Sequence, residues 1–380
     1  MNSYPHVVHV CIATGQNAAN LIPLKQLDAQ EIWILQTPNM KANAAHLQTA
    51  LRREGRLIER VDFDDSSPEA IIRSSQDVTL RLDGRQVILH ATGGTKLMVL
   101  ALSEELRLLG TGVGSLDVLY AETRRQQIDW LGRQPRTEPM ADVLDLQDML
   151  LVQGYRIEGE SRHADAQARA QTRADITRDL GDNAAKHAKY LGALNAIAEG
   201  AAKGQYERDL TSIMKHAPRG GLADLLEQAQ AKGLLRWDGE LAITFADKQA
   251  AKYLCGGWLE EFVLLKLTGI ARPGYFSINL QIVSATGGVP NEIDAMLVHR
   301  NRVLLIECKT RRQDEKVQDA FYKLAQLRER LGGSVAASLY LSARPVDVEV
   351  LKRAKEYGID VLAADKVTGL VAWIRNWQEV

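Results

Sequence analysis

The chain has 380 residues, too many for one typical domain and enough for two or three. Its hydrophobic fraction of 46%, charged fraction of 25% and net charge of −1 are ordinary for a globular protein and exclude an overall basic, nucleic-acid-binding character. Three widely spaced cysteines, the lack of a long apolar run and the lack of an N-terminal secretion pattern predict a cytoplasmic protein without a membrane partner.

Residues 1–137 alternate short apolar segments with helical patterns, which predicts an α/β domain. The predicted strands are 6–13, 31–36, 56–63, 86–91 and 116–121, and the predicted helices are 17–27, 39–53, 68–76 and 96–109. Short buried strands that alternate with helices are typical of a parallel sheet covered on both faces. We therefore expect a Rossmann-like fold for this domain.

Two polar, glycine-containing loops each follow a predicted strand and precede a helix. Ligands bind at the carboxyl ends of such strands, and backbone N–H groups at a helix start favour a phosphate. The spacing departs from the usual dinucleotide and ATP fingerprints. The predicted ligand residues are Thr14, Gly15, Gln16, Asn17, Thr92, Gly93, Gly94, Thr95 and Lys96. Tight turns with helix caps are the other interpretation, and Asn17 is equally suited to capping its helix.

The middle of the chain shows no catalytic motif. Residues 138–204 predict a helical linker, in which the stretch from Ala164 to Lys203 is rich in Ala, Gln, Arg and Asp. Residues 205–250 predict a winged-helix-like unit of helices 206–215 and 221–232 and a hairpin around Asp238-Gly239. The second helix is acidic at Asp224 and Glu227, so a scaffold role is as open as a DNA-reading role.

Residues 251–380 predict a C-terminal α/β domain. Its predicted elements are helix 257–267, strands 293–298 and 302–308, a helix from Val317 to Leu331, strand 338–341, helix 347–357, strand 359–363 and a terminal helix. The first two strands are separated by three residues, which predicts an antiparallel hairpin.

The strongest chemical signal is Asp294 on the first hairpin strand, followed by Glu307 and Lys309 on the second. The hairpin brings Asp294 opposite Glu307, and residues two apart on a strand leave the same face. Two carboxylates bind Mg²⁺ or Mn²⁺ with open water positions, and a lysine can orient water or stabilise charge on a phosphate. The sequence therefore predicts phosphodiester cleavage. An exposed Glu-Lys pair at a strand end is the alternative.

A third carboxylate and a local basic patch are expected near this hairpin. Glu260 or Glu261 on the preceding helix could join the metal ligands, and helical phase does not choose between them, although we favour Glu260. The candidate patch for nucleic acid, which could equally be a solvated surface, consists of Arg300, Arg302, Lys309, Arg311, Arg312 and Lys316.

The acid–acid–lysine set resembles the PD-(D/E)xK nucleases over roughly the last 130 residues, with Ile293 where the family name has proline. The loop around Thr92-Gly93-Gly94-Thr95-Lys96 and the Thr14 loop resemble the CRISPR-associated Rossmann fold, abbreviated CARF, of type III CRISPR effectors. The domain order resembles one group of these effectors. That resemblance implies a homodimer that binds a cyclic oligoadenylate, most often cyclic tetra-adenylate, across its two-fold axis. It also implies ligand-activated, metal-dependent cutting of DNA and often RNA, with Asp294 and Glu307 as metal ligands and Lys309 as the catalytic lysine.

Two other functions are compatible with the same residues. A ligand-responsive transcription regulator would use the winged-helix-like unit and keep the C-terminal hairpin as structure. A C-terminal domain that binds nucleic acid without cutting it is the second, although the complete Asp294, Glu307 and Lys309 set argues against it.

Overall fold

A computed structural model describes residues 7–52, 55–108, 116–132, 134–158, 163–204, 207–311 and 317–379. The N-terminal sheet contains β1 (Val7–Ile12), β2 (Glu31–Gln36), β3 (Leu57–Asp62), β4 (Gln86–His90), β5 (Leu116–Glu122), β6 (Gln127–Trp130) and β7 (Arg136–Pro139). Helices α1 (Ala18–Gln26), α2 (Lys41–Arg52), α3 (Pro68–Arg81) and α4 (Lys96–Leu108) connect the first five strands.

The N-terminal sheet has the strand order β3-β2-β1-β4-β5-β6-β7, and its first five strands are parallel. This confirms the predicted Rossmann-like arrangement. Strands β6 and β7 were not predicted, and they extend the sheet in antiparallel fashion from β5. Each has only four residues, which is too short for a clear alternation of apolar and polar side chains.

The sequence predicted a wholly helical linker, but the structure contains a strand within it. Helices α5 (Leu146–Val152), α6 (His163–Thr172), α7 (Ala174–Asp182) and α8 (Ala184–Lys203) are separated by strand β8 (Tyr155–Ile157) after α5. Strand β8 pairs with the C-terminal sheet, where Ile157 lies opposite Ile282. Gly154, at φ +77°, ends the helical run, and the three residues that follow gain backbone hydrogen bonds only from a distant strand.

The next unit contains a three-stranded antiparallel sheet in the order β10-β11-β9. Its elements are β9 (Thr211–Ile213), α9 (Gly221–Ala231), β10 (Leu235–Trp237) and β11 (Ala242–Phe245). The predicted helix α9 and the hairpin are confirmed. The predicted helix 206–215 is wrong, because residues 207–210 form a single 3-10 turn and the β-branched Thr211 and Ile213 continue as strand β9.

The C-terminal sheet has the order β16-β15-β14-β13-β12-β8. Its strands besides β8 are β12 (Phe276–Ser284), β13 (Asn291–His299), β14 (Arg302–Lys309), β15 (Ala336–Ser342) and β16 (Asp360–Ala363). The helices are α10 (Lys248–Lys252), α11 (Trp258–Thr268), α12 (Val317–Gly332), α13 (Val348–Glu356) and α14 (Leu370–Glu379). The antiparallel β13–β14 hairpin is as predicted, and β12 is a strand that the sequence did not predict.

The buried apolar side chains form three clusters. One lies between the N-terminal sheet and α3 and α4. A second joins the other face of that sheet to α5, to α12 and to one face of the C-terminal sheet, so that Leu47 and Leu324 belong to the same cluster. The third packs the opposite face of the C-terminal sheet against α8, α9, α11 and α14. Within the described residues, no helix combines the length and the apolar character needed to cross a membrane.

Candidate active site and ligand-binding edge

Strands β13 and β14 bring the predicted catalytic residues together. Ala295 pairs with Ile306, which places Asp294 and Glu307 opposite each other at the next position. Asp294 Oδ2 accepts a 2.7 Å hydrogen bond from the Cys308 amide, so its carboxylate is fixed against the neighbouring strand. Lys309 donates a hydrogen bond to Glu307 Oε1 on the same strand. The geometry thus gathers two carboxylates and one ammonium at the end of the hairpin.

Crowding of acids perturbs the proton affinities at this end of the sheet. Burial, followed by the nearby charge of Glu307, raises the pKa of Asp294 to about 6. Burial alone would lower the pKa of Lys309, but the carboxylates of Glu307 and Asp294 outweigh it and raise that pKa above its ordinary value. The Asp294 carboxylate therefore takes up a proton at a higher pH than an ordinary aspartate does, whereas Lys309 stays protonated at neutral pH.

The structure distinguishes Glu260 from Glu261, between which helical phase could not choose. Burial, with the charge of Asp294 second, raises the pKa of Glu260 to about 8, and the Asn279 side chain hydrogen-bonds this carboxyl group. Glu261 instead accepts two hydrogen bonds from the Arg173 guanidinium, which also stacks 3.9 Å over the Tyr253 ring. Only Glu260 therefore faces the acids of the hairpin.

The donor set fits a hard divalent cation. Asp294, Glu307, Glu260 and Glu292 offer only oxygen donors, and one lysine balances them. Within the described residues, no three acidic, histidine or cysteine side chains converge tightly enough to enclose a metal. The structure thus pairs Asp294 with Glu307 and does not bring Glu260 into a closed three-ligand group. A cation held by that pair would keep open positions for water.

Sequence reasoning missed Asn279 as a residue of this site. It lies in the middle of β12 with φ +51°, a left-handed conformation that an asparagine tolerates better than most residues. Strained backbone inside a strand concentrates at functional sites. In the sequence, its only signal is a polar residue between the apolar residues Ile278 and Leu280. That signal can be interpreted only once β12 has been recognised as a strand.

The predicted basic patch is wrong as a single surface. Arg300 and Arg302 lie at the turn of the hairpin, at the end opposite Glu307, and Arg302 donates to the carbonyls of Trp377 and Gln378. Arg311 contacts Glu199 and Cys255. Arg312 and Lys316 lie outside the described residues. Of the four candidates that the structure describes, only Lys309 lies at the acid cluster.

At the N-terminal sheet, the two predicted loops lie side by side, because β1 and β4 are paired parallel neighbours. A Cβ atom at Gly93 would stand 2.1 Å from the Ile12 carbonyl oxygen, and Gly94 adopts φ +79° against the Ile12 side chain. These glycines therefore let the two loops pack against each other. Gly94, Thr95 and Lys96 are exposed beyond that contact, as are Gly15 and Gln16 of the first loop.

Asn17 does not face this exposed edge, and although it stands at the N-cap position of α1, its side chain does not cap the helix. It is fully buried, its side-chain oxygen accepts from the Thr14 amide and from Asn20, and its Nδ2 donates to the Asn43 carbonyl. Every polar atom of the side chain is thereby used inside the chain. Both predicted roles for Asn17 are corrected, and its observed role is to fix the first loop.

The other predicted ligand residues differ in which hydrogen bonds their side chains already make within the protein. Thr92 Oγ1 accepts a 2.8 Å hydrogen bond from the Ala121 amide, and Thr95 Oγ1 accepts from Met98 at the start of α4. Gln16 accepts from Gln153 Nε2 at 2.8 Å and donates to the Glu329 carbonyl of α12 at 3.1 Å. The first loop thus touches the C-terminal domain directly.

The fold and the hairpin define a nuclease that carries a CARF domain, and comparison of the sequence with protein families agrees. A model described as the Card1 CARF domain matches residues 8–149, and a model described as the Card1-like endonuclease domain matches residues 247–380. The chain therefore belongs to the Card1-like CARF nucleases. A comparison with curated protein sequences gives no match.

Solved structures with the same fold span the whole chain. Can2 from Sulfobacillus thermosulfidooxidans, in complex with cyclic tetra-adenylate, is 23% identical with a TM-score of 0.76, over 99% of this chain and 98% of that one. Protein VC1899 from Vibrio cholerae is also 23% identical, with a TM-score of 0.85 over 98% of both chains. A type III CRISPR defence DNA nuclease activated by cyclic oligoadenylate is 19% identical, with a TM-score of 0.53, over 94% of this chain and 48% of that chain.

Proposed function

We propose that the chain is a metal-dependent nuclease that a cyclic oligoadenylate switches on in type III CRISPR antiviral defence. DNA is the favoured substrate and RNA the second candidate, with Mn²⁺ or Mg²⁺ as cofactor. The observation that carries the proposal is the placement of Asp294 opposite Glu307, with Lys309 bonded to Glu307. The match to an endonuclease domain supports the same reaction class.

Asp294 and Glu307 are the proposed metal ligands, and Glu260 is a third carboxylate, close enough for the charge of Asp294 to raise its pKa. A divalent cation held there would polarise the scissile phosphate and lower the pKa of a bound water. The Cys308 amide orients Asp294 through its 2.7 Å hydrogen bond. The crowded acids that raise the pKa of Asp294 are the kind of cluster that a bound cation relieves.

Lys309 is proposed to act as a cation rather than as a base. Its raised pKa keeps the ammonium protonated at neutral pH, so Nζ can donate hydrogen bonds to a phosphate oxygen or to the attacking water. Its side chain is 38% exposed, which leaves it accessible to a substrate from solvent. The same ammonium limits repulsion between the acids and an approaching polyanion.

The proposed activator is cyclic tetra-adenylate, the ligand named in the structure of Can2. It would bind at the exposed edge made by Thr14, Gly15, Gln16 and the loop from Thr92 to Lys96, whose N–H groups and single ammonium suit phosphates. A homodimer with one ring on its two-fold axis fits this edge. Leu97 and Leu100 of α4 are 59% and 66% exposed beside it, which supports a partner surface there.

The regulator alternative has little support in the observed surface. Helix α9 presents Asp224, Glu227 and Gln228 to solvent, so it offers no cation to DNA phosphates. Contacts to DNA phosphates come mainly from basic side chains, which this helix lacks. We therefore interpret the three-stranded unit as a scaffold beside the nuclease domain.

The test is a cutting assay with the purified full-length protein. Plasmid DNA and single-stranded RNA are incubated with Mn²⁺ or Mg²⁺, with and without cyclic tetra-adenylate, beside Glu307→Ala and EDTA controls. We expect cutting that requires the metal, the ligand and Glu307. Cutting that ignores the ligand would retain the nuclease and remove the sensor role. Absence of cutting with every cyclic oligoadenylate would contradict the proposal.

A further inference from the structure

A polar cavity of about 460 Å³ opens beside the acid cluster. Glu260 of α11, Asn279 of β12 and Glu292 of β13 line it from the nuclease domain. Arg169 of α6 lines it from the linker, and Lys252 of α10 lines it from the start of the nuclease domain. We call it the α6–α10 cavity. The linker, in which the sequence showed no chemistry, therefore contributes a wall to this site.

Not every cation of the cavity is paired within the described part of the protein. Arg173 also lines it, but its guanidinium is bound to Glu261 and stacked on Tyr253. Arg169 and Lys252 are exposed, and neither side chain has an ion-pair or hydrogen-bond partner among the described residues. Two cations thus remain available for an anion that enters the cavity.

The nuclease needs cations at this place. Its acid cluster repels a polyanionic strand, and of the patch residues that the structure describes only Lys309 lies near Glu307. A nucleic acid is held mainly by contacts to its phosphates. Pockets of about 300–1,000 Å³ hold small ligands, so a cavity of 460 Å³ has room for one nucleotide unit.

We propose that the α6–α10 cavity binds the nucleotide next to the scissile phosphate, with Arg169 and Lys252 pairing with its flanking phosphodiester. Gln249, which also lines the cavity, is an amide suited to hydrogen-bond a sugar or base edge. The inference rests on the proposed nuclease function and specifies how that site holds its substrate. It assigns a substrate-binding role to α6 and α10, which precede or begin the matched endonuclease domain.

The experiment uses full-length protein carrying Glu307→Ala, so that bound strands are not cut. Affinity for a fluorescent single-stranded DNA and for an RNA of the same sequence is measured against salt, with metal and cyclic tetra-adenylate present. Arg169→Gln and Lys252→Gln are compared with Lys186→Gln, an exposed cation on α8 outside the cavity. In Glu307-containing protein, KM and kcat are measured for the same substitutions.

Each cavity variant should weaken binding about 3- to 10-fold and lower the salt slope by about one, as expected for one lost phosphate contact. KM should rise with little change in kcat, and Arg169→Lys and Lys252→Arg should restore affinity. Equal affinity and slope for the double cavity variant and Lys186→Gln would overturn the assignment. If the parent protein binds and cuts while that result is obtained, only the cavity proposal fails. A parent that neither binds nor cuts overturns the proposed function as well.

Discussion

Glu260 and Glu261 are adjacent in sequence but occupy opposite electrostatic environments. Glu260 is buried near Asp294, which raises its pKa to about 8, whereas Glu261 is paired with Arg173. Between pH 4.5 and 8, folded Glu260 binds more protons than the unfolded chain does. Its protonation therefore stabilises the fold at low pH, and that contribution is lost as the pH rises through 8.

We expect Glu260→Gln to raise the free energy of unfolding at pH 8.5 by roughly 1–3 kcal/mol, because it removes a poorly solvated charge. Cutting should fall in the same variant. Urea denaturation at pH 5.5 and 8.5, in EDTA, measures the effect. Glu261→Gln is the matched control and should destabilise at both pH values, because it leaves the Arg173 charge without its carboxylate. Equal behaviour of the two variants would contradict this assignment.

The His9–His90 pair lies in the core of the N-terminal sheet, with the ring nitrogens 3.0 Å apart. Burial, with Arg56 second, lowers the pKa of His9 to about 4, and burial lowers that of His90 well below its usual range. Below pH 6.5 the unfolded chain therefore takes up protons that the folded protein refuses. The stability present above that pH is lost as the pH falls towards 4.

The expected outcome is a stability that declines on acidification by up to about 1.4 kcal/mol per pH unit for each histidine. Replacing both rings, as His9→Leu with His90→Leu, should flatten this slope between pH 7 and 5. The exposed His216→Gln is the control and should leave the slope unchanged. Guanidinium denaturation at several pH values gives the slopes. An unchanged slope in the double variant would show that the pair titrates normally.

At the scale of elements, the glycines of the neighbouring loops after β1 and β4 differ in the space available for a side chain. Gly93→Ala would place a Cβ 2.1 Å from the Ile12 carbonyl oxygen. That clash can be relieved only by moving the backbone of one of the two loops, which costs free energy. We expect a loss of about 1–3 kcal/mol in unfolding free energy and weaker ligand binding. Gly15→Ala has open space and should change stability by less than about 0.5 kcal/mol. Thermal melts of both variants distinguish these outcomes.

The sequence predicted elements well where their partners are near in the chain. The β13–β14 hairpin was predictable from two apolar segments separated by a few polar residues, and its register places Asp294 opposite Glu307. Strand β8 could not be found in this way, because Tyr155–Ile157 has only three residues and its partner begins at Ile282. Its pairing is decided by tertiary contact rather than by local preference.

The same distinction applies to the site. Glu307 and Lys309 are two residues apart on one strand, so their proximity needs no tertiary information. Glu260 could not be chosen over Glu261, because the choice depends on where Arg173 of the linker lies. Arg169 and Lys252 had no signal at all, since the cavity they line exists only when α6 packs on α11.

At the scale of the whole molecule, Gln16 is the residue where the ligand-binding edge meets the nuclease domain. It bonds Gln153 after α5 and the Glu329 carbonyl of α12, while Lys323 of the same helix donates to the Glu292 carbonyl of β13. Helix α12 thus contacts both the first loop and a strand of the acid cluster. An equilibrium between two positions of this helix could be biased from either end.

We expect Gln16→Ala to reduce stimulation of cutting by cyclic tetra-adenylate about 5- to 150-fold, the usual range of coupling between sites. Ligand titration by calorimetry should show a smaller change in affinity than the change in stimulation. Gln26→Ala is the matched control, because Gln26 bonds Pro139 and Ala141 within the N-terminal domain. Full stimulation in the Gln16 variant would exclude this contact from the coupling.

Strand β8 has a further consequence for how such an enzyme is contained in the cell that makes it. A fragment that starts after the linker would lack the edge strand beside β12, and it would expose the face of its sheet that now packs on α5 and the N-terminal domain. Internal starts or proteolytic nicks after the linker should therefore yield insoluble or unfolded fragments rather than a free, folded nuclease domain. Folding of the nuclease domain is thereby tied to the presence of the linker strand and of the CARF domain on which its sheet packs.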